Sequence, residues 1–234
     1  MTESKITSGN RNLITDIGGI QVGNSENMEL MTGVTYIKLS KKFKASLEVI
    51  GGAPASREIE LLRPENTVEF IDGIVLSGGS VYGLAAASEI VDILHIEQRG
   101  YKIRNSNISI PIVPCAAIYD LSEEISQNIS SKIYTKLANQ AYHNASRDFG
   151  LGNYGAGYGA RAGSIKGGQG SASIMMSDGS IIGALTIVNS FGSTVIPGTN
   201  ILYSSIYERE NELGGNIRKY YKNLEKYNAD NNIF

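Results

Sequence analysis

The chain has few of the side chains on which metal sites and disulfide frameworks depend. It contains one cysteine and two histidines in 234 residues. A single cysteine excludes an intramolecular disulfide, and so few soft ligands disfavour a zinc site. The sequence therefore predicts neither a metal nor a cofactor. Cys115 lies in the apolar run IPIVPCAAIYD, which favours a buried thiol over a catalytic thiolate.

Charged residues and long apolar runs are also scarce. Charged residues make up 19% of the chain, and 21 basic against 23 acidic side chains give a net charge of -2. This balance gives no support for binding nucleic acid. No apolar run reaches the about 20 residues that a membrane-spanning helix needs. The polar start MTESKITSGNRN lacks a signal-peptide pattern, so we expect a cytoplasmic protein.

Glycine is abundant, with 27 residues, and 41% of the chain is hydrophobic. This composition indicates a compact protein with many tight turns. β-branched alternation predicts strands at Met31–Leu39 and Ala45–Ile50. The clearest unit is a buried strand, Ile71–Leu76, followed by the turn SGGS and a helix over Val81–Gln98, with Ser80 as its N-cap.

The second half of the chain alternates further strands and helices. Two prolines in ISIPIVPCAAIYDL indicate an edge or a loop rather than a central strand. A second helix is expected over Ser122–Ser146, and two strands are expected to join at Asp178-Gly179, a strong hairpin signal. This mixed order predicts an α/β domain over residues 1–234, with helices layered on sheets and a polar tail from about 203 to 234.

Lys166 lies in the glycine-rich stretch RAGSIKGGQGSAS. A phosphate-binding P-loop places its lysine after the glycines, whereas Lys166 precedes Gly167 and Gly168. The commonest interpretation of a lysine is a solvated surface charge. The alternative is that the glycines let a backbone, a substrate or the terminus of another segment come close to the ammonium group.

Three further polar residues each have a structural and a functional interpretation. Ser80 lacks the Gly-x-Ser-x-Gly context of a nucleophile elbow, because position 82 is Tyr, so a cap or a pocket-lining hydroxyl is favoured. Asn189 ends an apolar strand and is either a turn residue or an amide donor to an oxyanion. Tyr119 closes the run IVPCAAIY and is either a core filler or a donor to substrate.

Five motifs occur in an order that is specific to one family. They are GGAPASRE, IDGIVLSGGSVYGLAAA, IPIVPCAAIYD, GAGYGARAGSIKGGQGSAS and IIGALTIVNSFG. Together, over roughly Asn12 to Gly192, they resemble the L-aminopeptidase/D-esterase (DmpA-type) family of self-processing N-terminal-nucleophile hydrolases. That family includes β-peptidyl aminopeptidases and nylon-oligomer hydrolases.

The resemblance implies a four-layer αββα sandwich completed by a second polypeptide. In this family the precursor cuts itself into an α chain and a β chain, and the new first residue of the β chain, Ser or Thr, is the nucleophile. The resemblance implies that this chain corresponds to the α chain, within an oligomer of αβ units. The resemblance places catalytic groups at Lys166, Asn189 and Tyr119, and a substrate-binding turn at Ser77, Gly78, Gly79 and Ser80.

The function that the resemblance implies is amide hydrolysis, as an aminopeptidase on short peptides or related amides. A terminal Ser or Thr carries its own base in the α-amine, which suits a chain with two histidines. Two alternatives remain open, an ornithine-acetyltransferase-like acyl transferase and an inactive binding protein of the same fold. The chain departs from the family at Ala55-Ser56, where Gly-Thr is frequent, and at Tyr82, where Phe is frequent. By this resemblance, the two departures bear on substrate preference more than on the reaction.

Overall fold

The computed structural model describes residues 6–122, 129–163, 165–190, 192–199 and 201–208. Contacts divide the chain into two compact units, Met1–Arg161 with Lys166–Asn189, and Ala162–Ile165 with Ser190–Phe234. The single domain over 1–234 stays a prediction. Of the expected polar tail, Tyr203–Tyr207 forms a short 3-10 helix, and residues 209–234 lie outside the described part.

Among the residues that the structure describes, twelve strands and two α-helices follow one another. The strands are β1 (Thr7–Ser8), β2 (Ile20–Asn27), β3 (Thr32–Lys44), β4 (Ser56–Arg57), β5 (Phe70–Ser77), β6 (Tyr101–Lys102), β7 (Ser109–Ile110), β8 (Cys115–Ala117), β9 (Arg161–Ala162), β10 (Ile165–Lys166), β11 (Gln169–Met175) and β12 (Ile181–Ile187). The α-helices are α1 (Ala86–Ile96) and α2 (Ser131–His143). Further 3-10 helices are Ile14–Asp16, Glu60–Leu62, Ser80–Ala85 and Gly155–Gly157.

A five-stranded mixed sheet forms the centre of the larger unit, in the order β2-β3-β5-β8-β4. The first three strands are antiparallel neighbours, and β8 runs parallel to β5. Alternate side chains of β3 face opposite sides, as a period of two requires. Val34 and Tyr36 belong to a core cluster with residues of α1 and α2, whereas Ile37 and Leu39 belong to a second cluster. The sheet is therefore buried on both faces.

A three-stranded antiparallel sheet, β1-β11-β12, lies on the side of the second cluster. Leu185 of β12 packs against that cluster together with Ile14 and Ile17. The register of β11 and β12 pairs Met175 with Ile181, so the hairpin expected at Asp178-Gly179 is confirmed. The two α-helices pack on one face of the five-stranded sheet, and the three-stranded sheet packs on its other face. This arrangement agrees with the expected mixed α/β class.

The apolar run before Tyr119 was expected to form an edge strand or a loop, and this prediction is wrong. β8 lies inside the sheet, between β5 and β4. Pro114 precedes the strand, and its carbonyl accepts the Val75 N–H at 3.0 Å. Proline lacks only the backbone donor, so it can flank an interior strand that uses its carbonyl.

Three other element predictions need correction. The expected strand Ala45–Ile50 is wrong: β3 continues to Lys44 instead, past a register shift, and residues 45–50 have no strand assignment. The first helix begins in 3-10 geometry at Ser80 and is α-helical only from Ala86. Ser80 is not the N-cap, because Gly79 holds that position without a side-chain bond.

The second α-helix is shorter than expected. It begins at Ser131, after Ser130 accepts the Lys132 N–H as an N-cap, and it ends at His143. Part of the expected range, residues 123–128, lies outside the described part. Among the described residues, no helix is long and apolar enough to cross a bilayer.

Candidate functional site

The turn SGGS continues directly from β5 and has an unusual backbone. Ser77 is the last residue of β5, and its hydroxyl donates to the Gly78 carbonyl at 2.9 Å. Gly79 has φ +79° and Ser80 has φ +52°. Glycine adopts this left-handed region without cost, whereas serine pays about 1 kcal/mol or more. The turn is buried at residues 77–79, and Ser80 is partly exposed.

Ile118 joins this turn to the segment that carries Tyr119. The Ile118 N–H donates to the Ser77 carbonyl at 2.8 Å, and the Ser80 N–H donates to the Ile118 carbonyl at 2.9 Å. This extends the parallel pairing of β5 and β8 beyond both strands. The proposed substrate turn and Tyr119 therefore lie side by side.

Tyr119 and Asn189 meet although they are 70 residues apart in sequence. Tyr119 lies two residues after β8, and Asn189 lies two residues after β12. The Tyr119 N–H donates to Asn189 Oδ1 at 3.3 Å. Because the carbonyl oxygen of the amide is used in this bond, its Nδ2 remains the donor end. The Tyr119 side chain is 67% exposed.

Lys166 is an exposed residue of β10 that lies against an aromatic ring. Its Nζ is 4.4 Å from the centroid of the Tyr158 ring. The negative face of a tyrosine ring attracts an ammonium group by about 0.5–1 kcal/mol at an exposed site. Tyr158 thus limits the positions that the Lys166 ammonium group can take.

The glycines after Lys166 admit the backbone of the same chain. Gly167 N–H donates to the Ala160 carbonyl at 2.7 Å, and a Cβ on Gly167 would come within 3.1 Å of that carbonyl. A Cβ on Gly168 would lie 2.7 Å from the Gly152 carbonyl. Of the groups that glycine was expected to admit, a neighbouring backbone is the one found here.

Asp120 contributes a partly buried carboxylate beside the turn. Its Oδ1 accepts the Gly79 N–H at 2.6 Å, and its Oδ2 accepts the Thr32 hydroxyl at 2.7 Å. Burial raises the pKa of Asp120 above its ordinary value, and the bonds from Gly79 and Thr32 oppose part of that rise. Among the residues that the structure describes, no group of three or more His, Cys, Asp or Glu side chains could hold a metal ion.

The structure thus joins some of the expected site residues and leaves others apart. It brings Tyr119, Asn189 and the Ser77–Ser80 turn together. Lys166 contacts Tyr158, and the described contacts include no hydrogen bond from Lys166 to Tyr119 or Asn189. The roles of these residues stay predictions.

Sequence reasoning assigned no role to Asp120, Thr32 or Tyr158. Asp120 directly follows Tyr119, and an acidic residue next to a candidate site residue is a signal that was available. Thr32 left no such signal, because it lies 88 residues from Asp120 in sequence.

Comparison with solved structures shows the same fold in three proteins. A β-aminopeptidase from Burkholderia sp. has a TM-score of 0.63 at 24% identity, over 80% of this chain and 54% of that one. A protein from Pyrococcus horikoshii has 0.63 at 27%, over 81% and 57%. The L-aminopeptidase D-Ala-esterase/amidase of Ochrobactrum anthropi, described as a variant of the Ntn-hydrolase fold, has 0.60 at 19%, over 80% and 55%.

Sequence comparison gives closer relatives. Proteins named as uncharacterized aminopeptidases are 38% identical in Mycobacterium leprae and 37% identical in Mycobacterium tuberculosis, each over 81% of this chain. The chain spans 56% of the length of either relative. The model of peptidase family S58 matches residues 12–222. These matches confirm the resemblance inferred from the five motifs, and the chain belongs to peptidase family S58.

Proposed function

We propose that this chain forms the larger part of a self-processed N-terminal-nucleophile aminopeptidase, which hydrolyses short peptides or related amides. The nucleophile is the first Ser or Thr of a β chain cut from the same precursor. The β chain completes a four-layer αββα sandwich, and αβ units associate into an oligomer. Membership of family S58 and the aminopeptidase names of the mycobacterial relatives support this reaction class. Those relatives contain further sequence outside the matched part, which provides room for such a chain.

The bond between Tyr119 and Asn189 is the observation that carries the proposal. It anchors Asn189 Oδ1 on a backbone N–H at 3.3 Å and so presents the amide Nδ2 as a fixed donor. A donor held in place before reaction stabilises the oxyanion of a tetrahedral intermediate at little reorganisation cost. The side chain of Tyr119 is exposed, and its hydroxyl is a second candidate donor.

The proposed chemistry needs no histidine. The α-amine of the terminal Ser or Thr removes the hydroxyl proton, and the resulting oxygen attacks the substrate carbonyl. The amine product leaves with that proton, and water then hydrolyses the ester. In the structure, His95 Nδ1 lies 2.8 Å from the Ser109 carbonyl oxygen, and His143 packs edge-on against Tyr142.

Lys166 is proposed to tune the α-amine. An ammonium group close to the amine disfavours a second positive charge, which lowers the pKa of the amine and favours the neutral base. The contact with Tyr158 at 4.4 Å holds the charge of Lys166 on one side of its segment. The turn Ser77–Ser80, hydrogen-bonded to Ile118, is proposed to bind substrate next to Tyr119.

Mass spectrometry of the protein purified after expression of its complete gene tests self-processing. We expect a second polypeptide that begins with Ser or Thr, together with release of p-nitroaniline from amino-acid p-nitroanilides. An uncut, inactive protein would support the binding-protein alternative instead. Acetyl transfer from acetylornithine to glutamate, without p-nitroaniline release, would support the acyl transferase.

The substitution Asn189→Ala tests the oxyanion role. Loss of one such donor lowers kcat by about 10²–10³-fold. The matched control is Asn107→Ala, which removes the same side chain from the exposed loop between β6 and β7. Equal kcat values for the two variants would remove Asn189 from the mechanism.

A further inference from the structure

Asp120 follows Tyr119 and has no role in the reaction proposed above. We infer that Asp120 is a positioning residue, which holds the Ser77–Ser80 turn in place against β3 and beside Tyr119. This inference rests on the proposed function, because it concerns the same site.

The two carboxylate oxygens of Asp120 bind two different elements. Oδ1 accepts the Gly79 N–H at 2.6 Å, in the turn after β5. Oδ2 accepts the hydroxyl of Thr32, the first residue of β3, at 2.7 Å. Thr32 is 1% exposed, and its Oγ1 also lies 3.2 Å from Tyr134 Oη of α2. One side chain therefore connects the turn to β3 directly and to α2 through Thr32.

Glycine backbone surrounds the same carboxylate. A Cβ on Gly78 would lie 2.0 Å from Asp120 Oδ2, and a Cβ on Gly159 would lie 2.7 Å from it. Real Cβ atoms do not approach so closely, so Gly78 is needed to let the carboxylate in. At Gly159 a Cβ would also lie 1.9 Å from the Met31 carbonyl oxygen, so glycine there admits both groups. Gly159 directly follows Tyr158, whose ring lies under Lys166. The carboxylate of Asp120 therefore lies close to the backbone of both the turn and the segment that contains Tyr158.

Burial of a charged carboxylate in this space costs free energy. Asp120 is partly buried, and this burial raises the pKa of its carboxyl because it disfavours the charged form. An apolar side chain of similar size would avoid that cost. What an apolar side chain lacks is the pair of directed bonds to Gly79 and Thr32, and those bonds define the geometry.

The first test compares Asp120→Ala with Asp120→Asn in the complete, processed protein. The amide keeps an acceptor for Gly79, and the Thr32 hydroxyl can reverse its direction to accept from Nδ2. We expect kcat to fall by about 100-fold for Asp120→Ala, as for a small misplacement of reacting groups, and by less than about tenfold for Asp120→Asn. Asp92→Ala, on the exposed side of α1, serves as the control that leaves kcat unchanged.

A second pair covers the case in which Asp120→Ala does not fold. Thr32→Val keeps the shape but removes the hydroxyl, whereas Thr32→Ser retains it. We expect Thr32→Val to lower kcat by about tenfold and Thr32→Ser to restore it. If Thr32 acted only on stability, the urea midpoint would change in Thr32→Val while kcat per folded molecule would not.

Amide hydrogen exchange gives a readout that does not need activity. We expect faster exchange over residues 77–82 and 118–120 in Asp120→Ala and Thr32→Val than in the wild type, with unchanged exchange over α1. Wild-type exchange in both segments, or wild-type kcat in both variants, overturns the inference. If the wild-type protein hydrolyses no amide, the proposed function fails, and the exchange comparison alone then decides whether Asp120 positions these segments.

Discussion

Gly79 and Gly179 have nearly the same backbone conformation and very different surroundings. Their φ angles are +79° and +84°. Gly79 is buried in the SGGS turn, where a Cβ would lie 2.0 Å from the Tyr134 hydroxyl and ring. Gly179 is in the exposed β11–β12 hairpin turn, where a Cβ would meet no atom within 4 Å. Gly179 is therefore needed only for its left-handed backbone conformation, whereas Gly79 is needed for that conformation and for the close approach of Tyr134.

At Gly179 the glycine serves only the local turn. Its left-handed conformation closes the hairpin, and its N–H donates to the Met176 carbonyl at 3.0 Å. At Gly79 the glycine also admits the Tyr134 side chain, while its N–H donates to Asp120. Turn chemistry predicts the first role from two adjacent residues, whereas the second depends on a side chain far along the chain.

Of the substitutions at the two turns, Gly79→Ala should lower the free energy of unfolding the most. Left-handed strain costs about 1–2 kcal/mol and overpacking against Tyr134 about 1–3 kcal/mol more. We expect the free energy of unfolding to fall by about 3 kcal/mol or more, as measured by urea denaturation. A loss as small as that of Gly179→Ala would show that Tyr134 moves away freely and that the turn is not tightly packed.

Gly179→Ala should cost only the strain of the left-handed residue. The same φ without a neighbouring atom predicts a loss of about 1–2 kcal/mol in the same denaturation experiment. Because this turn lies at the opposite end of β12 from Asn189, kcat should match that of the wild type. A drop in kcat at unchanged stability would show that the two ends of β12 are coupled.

Replacement of Tyr158 should have a smaller effect, confined to the site. Tyr158→Leu removes the ring beneath Lys166 and should lower kcat by a few-fold, in line with about 0.5–1 kcal/mol for an exposed cation–π contact. Tyr158→Phe keeps the ring and is expected to restore kcat. Equal losses in both variants would point to the hydroxyl instead of the ring face.

The smallest effect is expected for alkylation of Cys115 in β8, because a thiol reagent cannot reach this buried residue in the native protein. Cys115 is 1% exposed, and burial raises the pKa of its thiol to about 12. At pH 8 only about one thiol in ten thousand is then ionised, and the thiolate is the reactive form. We expect no labelling by iodoacetamide in the native protein and full labelling in urea. Rapid labelling of the native protein would show that the thiol of Cys115 becomes accessible to the reagent without unfolding of the whole chain.

Local sequence signals predicted the elements that depend on neighbouring residues. The strand before SGGS and the helix after it are both present, as β5 and α1, and the hairpin at Asp178-Gly179 is present as well. The motif order gave the family, which the comparisons confirm. These signals succeed because hydrophobic periodicity and turn chemistry act over a few residues.

Long-range contacts decided what those signals missed. β8 is interior because the Val75 N–H uses the Pro114 carbonyl, a partner about forty residues away that no local pattern predicts. The segment Ala45–Ile50 has the composition of a strand, but it is not assigned to a sheet. A strand needs a neighbour to satisfy its backbone groups, and only the folded chain determines whether one is present.

The amino-acid sequence by itself determined which chemical groups are present, namely an amide, an ammonium group and a glycine turn in a chain with two histidines. It also determined the family to which the chain belongs. Only the tertiary structure decided that Tyr119 holds Asn189 and that Asp120 lies between Thr32 and Gly79. The physical reason is that hydrogen bonds act over about 3 Å in space, and the distance along the chain does not enter their energy.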